Sequence, residues 1–309
     1  MIKKNNLKLL IFGGNRLKED MPVTFILNYL KKKKINFKLI TDPEHLNKES
    51  KNGVLFKNKI KKIKYLKLKK LDEKKVINLV DKNTYGLSVN SVWKFSKELI
   101  NKFNGNFYNY HAANLPEERG AGNLSWKILQ NNFNKNTINI HKVEKDFDTG
   151  NIVFTKRLKY KKNLIPKDYL KIISYNEKIF LKNFINKILK GNKMIEKKQK
   201  GESYYWPRLN ANKDGQINWN WNVEDIVSFI KAFSHPFNGA FTFLNKKKII
   251  IYDASFSVKQ KFHPFQNGII FRENKTEIFV AHNSGYIVIK KKNLKTFKIT
   301  KKFLGKKFK

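Results

Sequence analysis

The stretch NFYNYHAANLPEERGAGN (106–123) decides the fold. The apolar stretch ends here, and NFYNYH (106–111) reads as a strand. Pro116, Gly120 and Gly122 then break regular structure, and GAGNLSWKILQNNF (120–133) settles into an amphipathic helical pattern. A strand that runs through a loop into a helix is the unit of an open α/β sheet. Its ligands gather outside the carboxyl ends of the strands. Asn109 and His111 therefore stand at the mouth of a strand, where catalytic groups belong.

Working outward, LKLLIFG (7–13) and NFKLIT (36–41) read as strands around the helix VTFILNYLKKKK (23–34), which gives a β-α-β opening. The Lys-rich region 43–72 has no single reading. EKKVINLV (73–80) predicts a helix, YGLSVN (85–90) a strand and VWKFSKELINKF (92–103) a helix. NTINIHKV (136–143) and IVFTKRLKY (152–160) predict a strand pair around DFDTGN, and DYLKIISYNEKIFLKNFINKILKG (168–191) a long helix with a Gly stop. NKMIEKKQKGE (192–202) is poor in apolar residues and suits a linker. After it, NVEDIVSFIKAF (222–233) predicts one helix, and short runs separated by turn residues predict a small β-barrel or sandwich. The expected domains are 1–191, a linker at 192–205, and a β-rich domain at 206–309.

In 309 residues, 40% are hydrophobic, with 25 Phe, 12 Tyr and 5 Trp, enough for two cores. The absence of Cys excludes disulfides, thiolate metal ligands and a cysteine nucleophile. The first apolar run is too short for a signal peptide, and none approaches the roughly 20 residues of a membrane span. The expectation is a cytoplasmic protein with no membrane partner. A net charge of +42 raises the prospect of an RNA contact through a basic surface. Only five of the 66 basic residues are Arg, the preferred fork for phosphates and base edges, so the charge also reads as compositional drift toward Lys.

Four features follow in order: Asn109-x-His111, Leu115-Pro116, Arg119-Gly120 and Asp146-x-Asp148-Thr149-Gly150. An amide, an imidazole and a carboxylate in one cleft suit acyl transfer to an amine. The first two hold the oxygen of a tetrahedral intermediate, and the carboxylate orients the imidazole and accepts a proton. No GxSxG supplies a hydroxyl nucleophile, which favours direct transfer. Taken singly, each feature has a plainer reading. Asn-x-His on a strand is more often structural, and DTG reads as a β-turn with Gly150 at positive φ. Asp146-x-Asp148 fails as a calcium loop because Arg157 stands where a Glu is required. His141, on a strand near a turn, reads as a packed neighbour. No GxGxxG or GxxxxGK[ST] is present, and no metal site is expected.

The ordered set N-x-H…LP…RG…DTG resembles the folate-dependent formyltransferases, the family of methionyl-tRNA formyltransferase and the amino-sugar N-formyltransferases. The resemblance continues through YYWPRL (204–209), DGQINW (214–219), IKAFSHPFNGAFTF (230–243), IIIYDAS (249–255) and GIIFRENKTEIFVAHNSGYIVIKK (268–291). It implies a Rossmann-like α/β catalytic domain followed by a small, mostly β, OB-like C-terminal domain. The formyl donor would be 10-formyltetrahydrofolate. Asn109, His111 and Asp148 take the catalytic positions. Leu87, Ser88, Val89, Val143 and Asp146 line the donor pocket, and Pro116, Arg119 and Gly120 form the substrate loop.

The acceptor loop departs from the methionyl-tRNA pattern. Ala113-Asn114-Leu115-Pro116 replaces Ser-Leu-Leu-Pro, Ala121-Gly122-Asn123 replaces Ala-Ala-Pro, and FGGNRLKED lacks the usual Gly-Thr-Pro opening. His141 falls where sugar-type relatives often carry His. The acceptor expected from these departures is an amino sugar or similar small nucleotide-linked amine, with methionyl-tRNA as the alternative. A catalytically silent RNA-binding relative is a third class, which the intact Asn109, His111 and Asp148 oppose.

Overall fold

A computed structural model describes residues 7–14, 22–49, 53–91, 93–133, 136–160, 164–296 and 303–309. The stretch after Gly14 that carries most of FGGNRLKED, and Val92 in the expected helix 92–103, lie outside these residues. The chain forms two compact units that interleave in sequence. One comprises 1–120, 135–160 and 171–206, and the other 121–134, 161–170 and 207–309. A single cut near residue 191 therefore does not separate them, because the loop-helix after Gly120 packs with the C-terminal residues.

The first unit is built on a seven-stranded sheet. Strands β1 (Lys8–Gly13), β2 (Asn36–Thr41), β3 (Tyr65–Lys67), β4 (Thr84–Val89) and β5 (Phe107–His111) run parallel in the order β3-β2-β1-β4-β5. A two-residue strand β6 (Arg119–Gly120) follows. Strands β7 (Thr137–Lys142) and β8 (Ile152–Arg157) extend the sheet antiparallel beyond β5, the strand pair expected around DFDTGN. Strand order reverses between β1 and β4, so their carboxyl ends open the crevice typical of this architecture. Residues in β9 (Tyr205–Trp206) pair with β6.

Helix α1 (Pro22–Lys32) buries Val23, Ile26, Leu27 and Leu30, the helical stripe seen in its sequence. Region 43–72 resolves into two single turns, α2 (Pro43–Leu46) and α3 (Phe56–Lys59), and the edge strand β3. Asp42 caps α2 by accepting from the Glu44 N–H at 2.6 Å. Helix α4 (Glu73–Ile77) and helix α5 (Lys97–Lys102) cover one face of the sheet through Val76, Leu99 and Phe103. The helix expected from residue 92 starts only at Lys97, because Ser96 is its N-cap and Phe95 is drawn into an aromatic cluster. Phe12, Phe95, Phe103 and Phe107 meet there, with centroids 4.5–5.3 Å apart in the closest pairs. Each buried Phe contributes roughly 2 kcal/mol.

The opposite face is covered by the later turns of α7 (Pro166–Leu189), once α6 (Asn123–Leu129) has been passed in sequence. Ile173, Phe180, Leu181, Phe184, Ile185 and Ile188 of α7 are buried, and Phe180 and Phe184 lie against Tyr110 and Tyr108 of β5. Strand β5 thus turns Phe107, Asn109 and His111 to one face and Tyr108 and Tyr110 to the other.

In the second unit α6 packs on α9 (Val223–Ala232), and Ser125 Oγ donates to the Ala232 carbonyl at 2.7 Å. The short helix α8 (Ala211–Asp214) precedes α9. The β-rich region forms two antiparallel sheets. One has the order β10 (Ala240–Leu244), β11 (Lys247–Ile251), β16 (Leu294–Thr296). The other runs β12 (Ser255–Ser257), β15 (Gly285–Lys290), β14 (Glu277–His282), β13 (Ile270–Glu273). Buried Trp219 ties this unit together, donating to Thr242 Oγ1 at 2.9 Å and stacking on Phe308 at 5.2 Å. Among the described residues, no helix is long and apolar enough to cross a membrane.

Candidate active site

Asn109 and His111 leave the same face of β5 near its carboxyl end, and Asp148 reaches them from the loop between β7 and β8. Asn109 Nδ2 donates to Asp148 Oδ1 at 3.2 Å, and His111 Nδ1 faces Asp148 Oδ2 at 3.6 Å. Asp148 is a non-glycine residue at φ 57. Holding it in the left-handed region costs free energy that the surrounding bonds offset, and this aims its carboxylate at the strand. The plainer β-turn reading of DTG put Gly150 at positive φ; the left-handed residue is Asp148 and not Gly150. Gly150 is needed for space instead, since a Cβ there would lie 2.1 Å from the Lys142 carbonyl oxygen.

The carboxylate is enclosed. The Gly120 N–H donates to Asp148 Oδ2 at 2.9 Å, and His141 Nε2 lies 3.3 Å from Oδ1. Burial alone would raise the Asp148 carboxyl. The His111 and His141 imidazoles and the Gly120 N–H outweigh it and hold the group well below the usual carboxylate range. Each imidazole also has one nitrogen against a backbone carbonyl: His111 Nε2 at 2.6 Å from Glu118 O, and His141 Nδ1 at 2.7 Å from Lys142 O. A carbonyl only accepts, so those nitrogens carry hydrogen, and the other nitrogen of each ring is turned toward Asp148. At 3.6 Å the His111 edge lies beyond hydrogen-bond range of Asp148 Oδ2 but close enough for the carboxylate to act on the ring through its charge.

The loop after β5 is fixed by its own side chains. Glu118 Oε2 accepts from the Asn114 N–H at 2.8 Å, and Asn139 Nδ2 donates to Ala113 O at 2.6 Å. The Leu115–Pro116 peptide is cis and Pro116 is buried. Arg119 turns away from the carboxylate and donates to Gln199 Oε1 at 2.7 Å and to Ser203 Oγ at 2.6 Å. Gly120 sits at φ 93, and a Cβ there would stand 2.3 Å from the Trp206 carbonyl oxygen. Only glycine lets the chain pass and present its N–H to Asp148.

The expected donor-pocket residues are placed differently from one another. Leu87, Ser88 and Val89 are ladder residues of β4, at most 2% exposed and paired with β1 and β5. They are not loop positions; Asn90, at φ 59, and Ser91 follow where the ladder ends. Val143 is buried just past β7, while Asp146 is exposed and its carbonyl accepts from Thr149 Oγ1 at 3.0 Å. Three groups at the site were missed in sequence. His141 is 2% exposed and touches both Asn109 and Asp148. Gln199, in the segment expected to be a linker, donates to Asp148 O at 2.7 Å and Gly150 O at 2.8 Å. Glu118 supplies the carbonyl that fixes His111. His141 had a signal, a polar residue alternating with Asn139 on a strand; Gln199 had none.

Residues 211–304 match the family described as formyl transferase, C-terminal domain. Among curated proteins, the bifunctional polymyxin resistance protein ArnA of Wigglesworthia glossinidia brevipalpis is 30% identical over 195 residues. That alignment covers 60% of this chain and 29% of ArnA. A methionyl-tRNA formyltransferase of Clostridium tetani is 30% identical over 198 residues, covering 63% of this chain and 62% of that protein. Residues 211–304 thus carry a formyl transferase C-terminal domain, and 60–63% of the chain aligns with these two relatives, of whose lengths it spans 29% and 62%. Its fold is shared with WlaRD, a sugar 3N-formyl transferase solved with dTDP and 5-N-formyl-THF, at a TM-score of 0.67 and 19% identity over 92% of this chain and 97% of that one. It is shared equally with an N-formyltransferase from Helicobacter canadensis in complex with folinic acid and dTDP-3-aminofucose, at a TM-score of 0.67 and 21% identity, over 92% and 99% of the chains. The likeness to formyltransferases and the mostly parallel sheet agree with the resemblance carried by the Asn-x-His and Asp-Thr-Gly motifs.

Proposed function

We propose that this protein transfers a formyl group directly from 10-formyltetrahydrofolate to a primary amine, and that the amine belongs to an amino sugar or similar small nucleotide-linked compound. The observation that carries the reading is the meeting of Asn109, His111 and Asp148 in one largely buried cluster. In the step, the amine nitrogen bonds to the formyl carbon, and the bond from that carbon to the donor nitrogen breaks. The amine gives up one proton and the donor nitrogen gains one. Asp148, held ionised, accepts the amine proton, directly or through the His111 edge that faces it. In this reading His111 takes up a second proton at Nδ1 and Asn109 gives up one of its present Nδ2 contacts, so that both donate to the tetrahedral oxygen as it develops charge. His111 Nε2 is committed to Glu118 O, so Nδ1 is the working nitrogen.

The donor suits the surroundings of this cluster. The 47% exposed Phe147, one residue before Asp148, presents an aromatic ring with Lys94 Nζ 5.6 Å from its centroid. Such a ring and cation fit a flat heterocycle carrying carboxylates. The small-amine acceptor is supported by the altered Ala113–Pro116 and Ala121–Asn123 segments and by the likeness to the Helicobacter canadensis enzyme. The test is tetrahydrofolate release from 10-formyltetrahydrofolate, with nucleotide-linked amino sugars and methionyl-tRNA as acceptors. Turnover with a sugar is expected. Turnover with the tRNA alone overturns the acceptor, and turnover with neither overturns the reading.

A further inference from the structure

Behind the site, on the face of the sheet turned away from Asp148, a carboxyl is buried in an apolar layer. Ile173, Phe180, Leu181, Phe184, Ile185 and Ile188 make the buried stripe of α7, and Glu177 takes the stripe position between Ile173 and Phe180. It is 6% exposed, makes no salt bridge among the described residues, and accepts from Tyr110 Oη at 2.9 Å. The charged and titratable groups that act on it are Tyr110 from β5 and Lys178 next along its own helix, and Tyr160 beyond β8 acts on Tyr110. Phe180, 6.3 Å from the Tyr110 ring and stacked on Phe154 at 4.7 Å, walls the pair. Tyr110 is the residue between Asn109 and His111.

An apolar side chain at 177 would complete the stripe without the cost of burying a carboxyl. A carboxyl kept there in spite of that cost has one geometric product: it fixes the height of Tyr110 over the helix. Successive residues of a strand point to opposite faces, so a tether on Tyr110 sets the backbone from which Asn109 and His111 project. We propose that Glu177 is a positioning residue for the reaction, acting through Tyr110 on the placement of Asn109 and His111. This rests on the reading of Asn109, His111 and Asp148 as the reacting centre. Burial pushes the Glu177 carboxyl up to about 7, consistent with a group that works as a neutral or shared-proton partner of a phenol.

The experiment compares wild type, Glu177→Gln, Glu177→Leu and Tyr110→Phe, reading kcat and KM for formyl transfer and the imidazole 15N resonances of His111. Gln keeps an acceptor for Tyr110 Oη and is expected to hold kcat within about twofold, with the His111 signals in place. Leu fills the stripe but drops the tether. Its kcat is expected to fall on the order of ten- to a hundredfold with KM little changed, and the His111 resonances to move. If Glu177→Leu does not fold, Tyr110→Phe, which keeps the ring, reads the same loss. Full kcat and unmoved His111 signals in Leu or Phe variants overturn the proposal, as does a Gln variant as impaired as Leu. If wild type transfers no formyl group, the reaction reading fails by itself. The resonances still decide whether Glu177 governs the strand.

Discussion

Replacing Glu177 by Gln also probes the energetics of the layer behind the site. The ordinary carboxyl value is 4.5, and burial raises this one to about 7 in the folded protein. Between those values the folded state keeps a proton that the unfolded chain has released. The stability this group contributes is therefore fully present below pH 4.5 and is lost as pH rises through 7, after which the loss is constant. A gap of 2.5 units at 1.36 kcal/mol each amounts to about 3 kcal/mol. Gln has no proton to lose and still accepts from Tyr110 Oη, so its stability is flat over the same window. The assay is thermal unfolding of both proteins by circular dichroism from pH 4.5 to 8.5. The curves should meet near pH 4.5 and separate as pH rises. By pH 8 the Gln variant should be the more stable, by a Tm gap on the order of 5 °C. Parallel pH profiles, or a Gln variant less stable at pH 8, would refute the argument that an uncompensated carboxyl lies there.

Asp148→Asn removes the charge that faces both imidazoles, and formyl transfer should fall at least about a hundredfold with the fold intact by circular dichroism. Because the folded carboxyl lies below its ordinary 3.8, its stabilisation is present above that value and lost as pH falls below it. The Asn variant should therefore show a shallower acid limb in Tm below pH 4. Gly120→Ala places a Cβ 2.3 Å from the Trp206 carbonyl at φ 93, and should cost about 2 kcal/mol or more in unfolding while weakening the Asp148 contact. An unchanged Tm would contradict that geometry. Gln199→Ala leaves the Asp148 and Gly150 carbonyls without its amide donor and removes an acceptor from Arg119, with an expected loss of about 1–3 kcal/mol in thermal unfolding.

Strands β1 and β2 were legible as short apolar runs, as a mostly buried parallel strand reads, and β4 and β5 as short segments ended by small or polar residues and a loop. Helix ends were less so. The stretch 92–103 has helical composition throughout, but Ser96 captures the Leu99 N–H at 3.2 Å and begins the helix there. The aromatic cluster draws Phe95 into the extended approach. The proposed triad of Asn109, His111 and Asp148 was visible because its members are chemically unusual in their positions and follow one another in the order Asn-x-His and Asp-Thr-Gly. Their supports were not. Gln199 reaches the site from a Lys-rich segment whose local composition describes only a solvated chain. His141 was visible as a polar residue on a strand, but its contact with Asp148 depends on the register of β7 against β5, in which it lies opposite Asn109.

That register makes a wider point about β5. Asn109, Tyr110 and His111 are consecutive, and three different parts of the first unit specify them. Asn109 is held by His141 and Asp148, Tyr110 by Glu177 of α7, and His111 by the carbonyl of Glu118 in the loop that follows. One backbone carries all three constraints, so a change in any layer is felt at the other two. The polar groups on the reactive face cannot be tuned independently of the apolar layer behind them. This is why a carboxyl in an apolar stripe, invisible to any motif, belongs to the account of how the site keeps its shape.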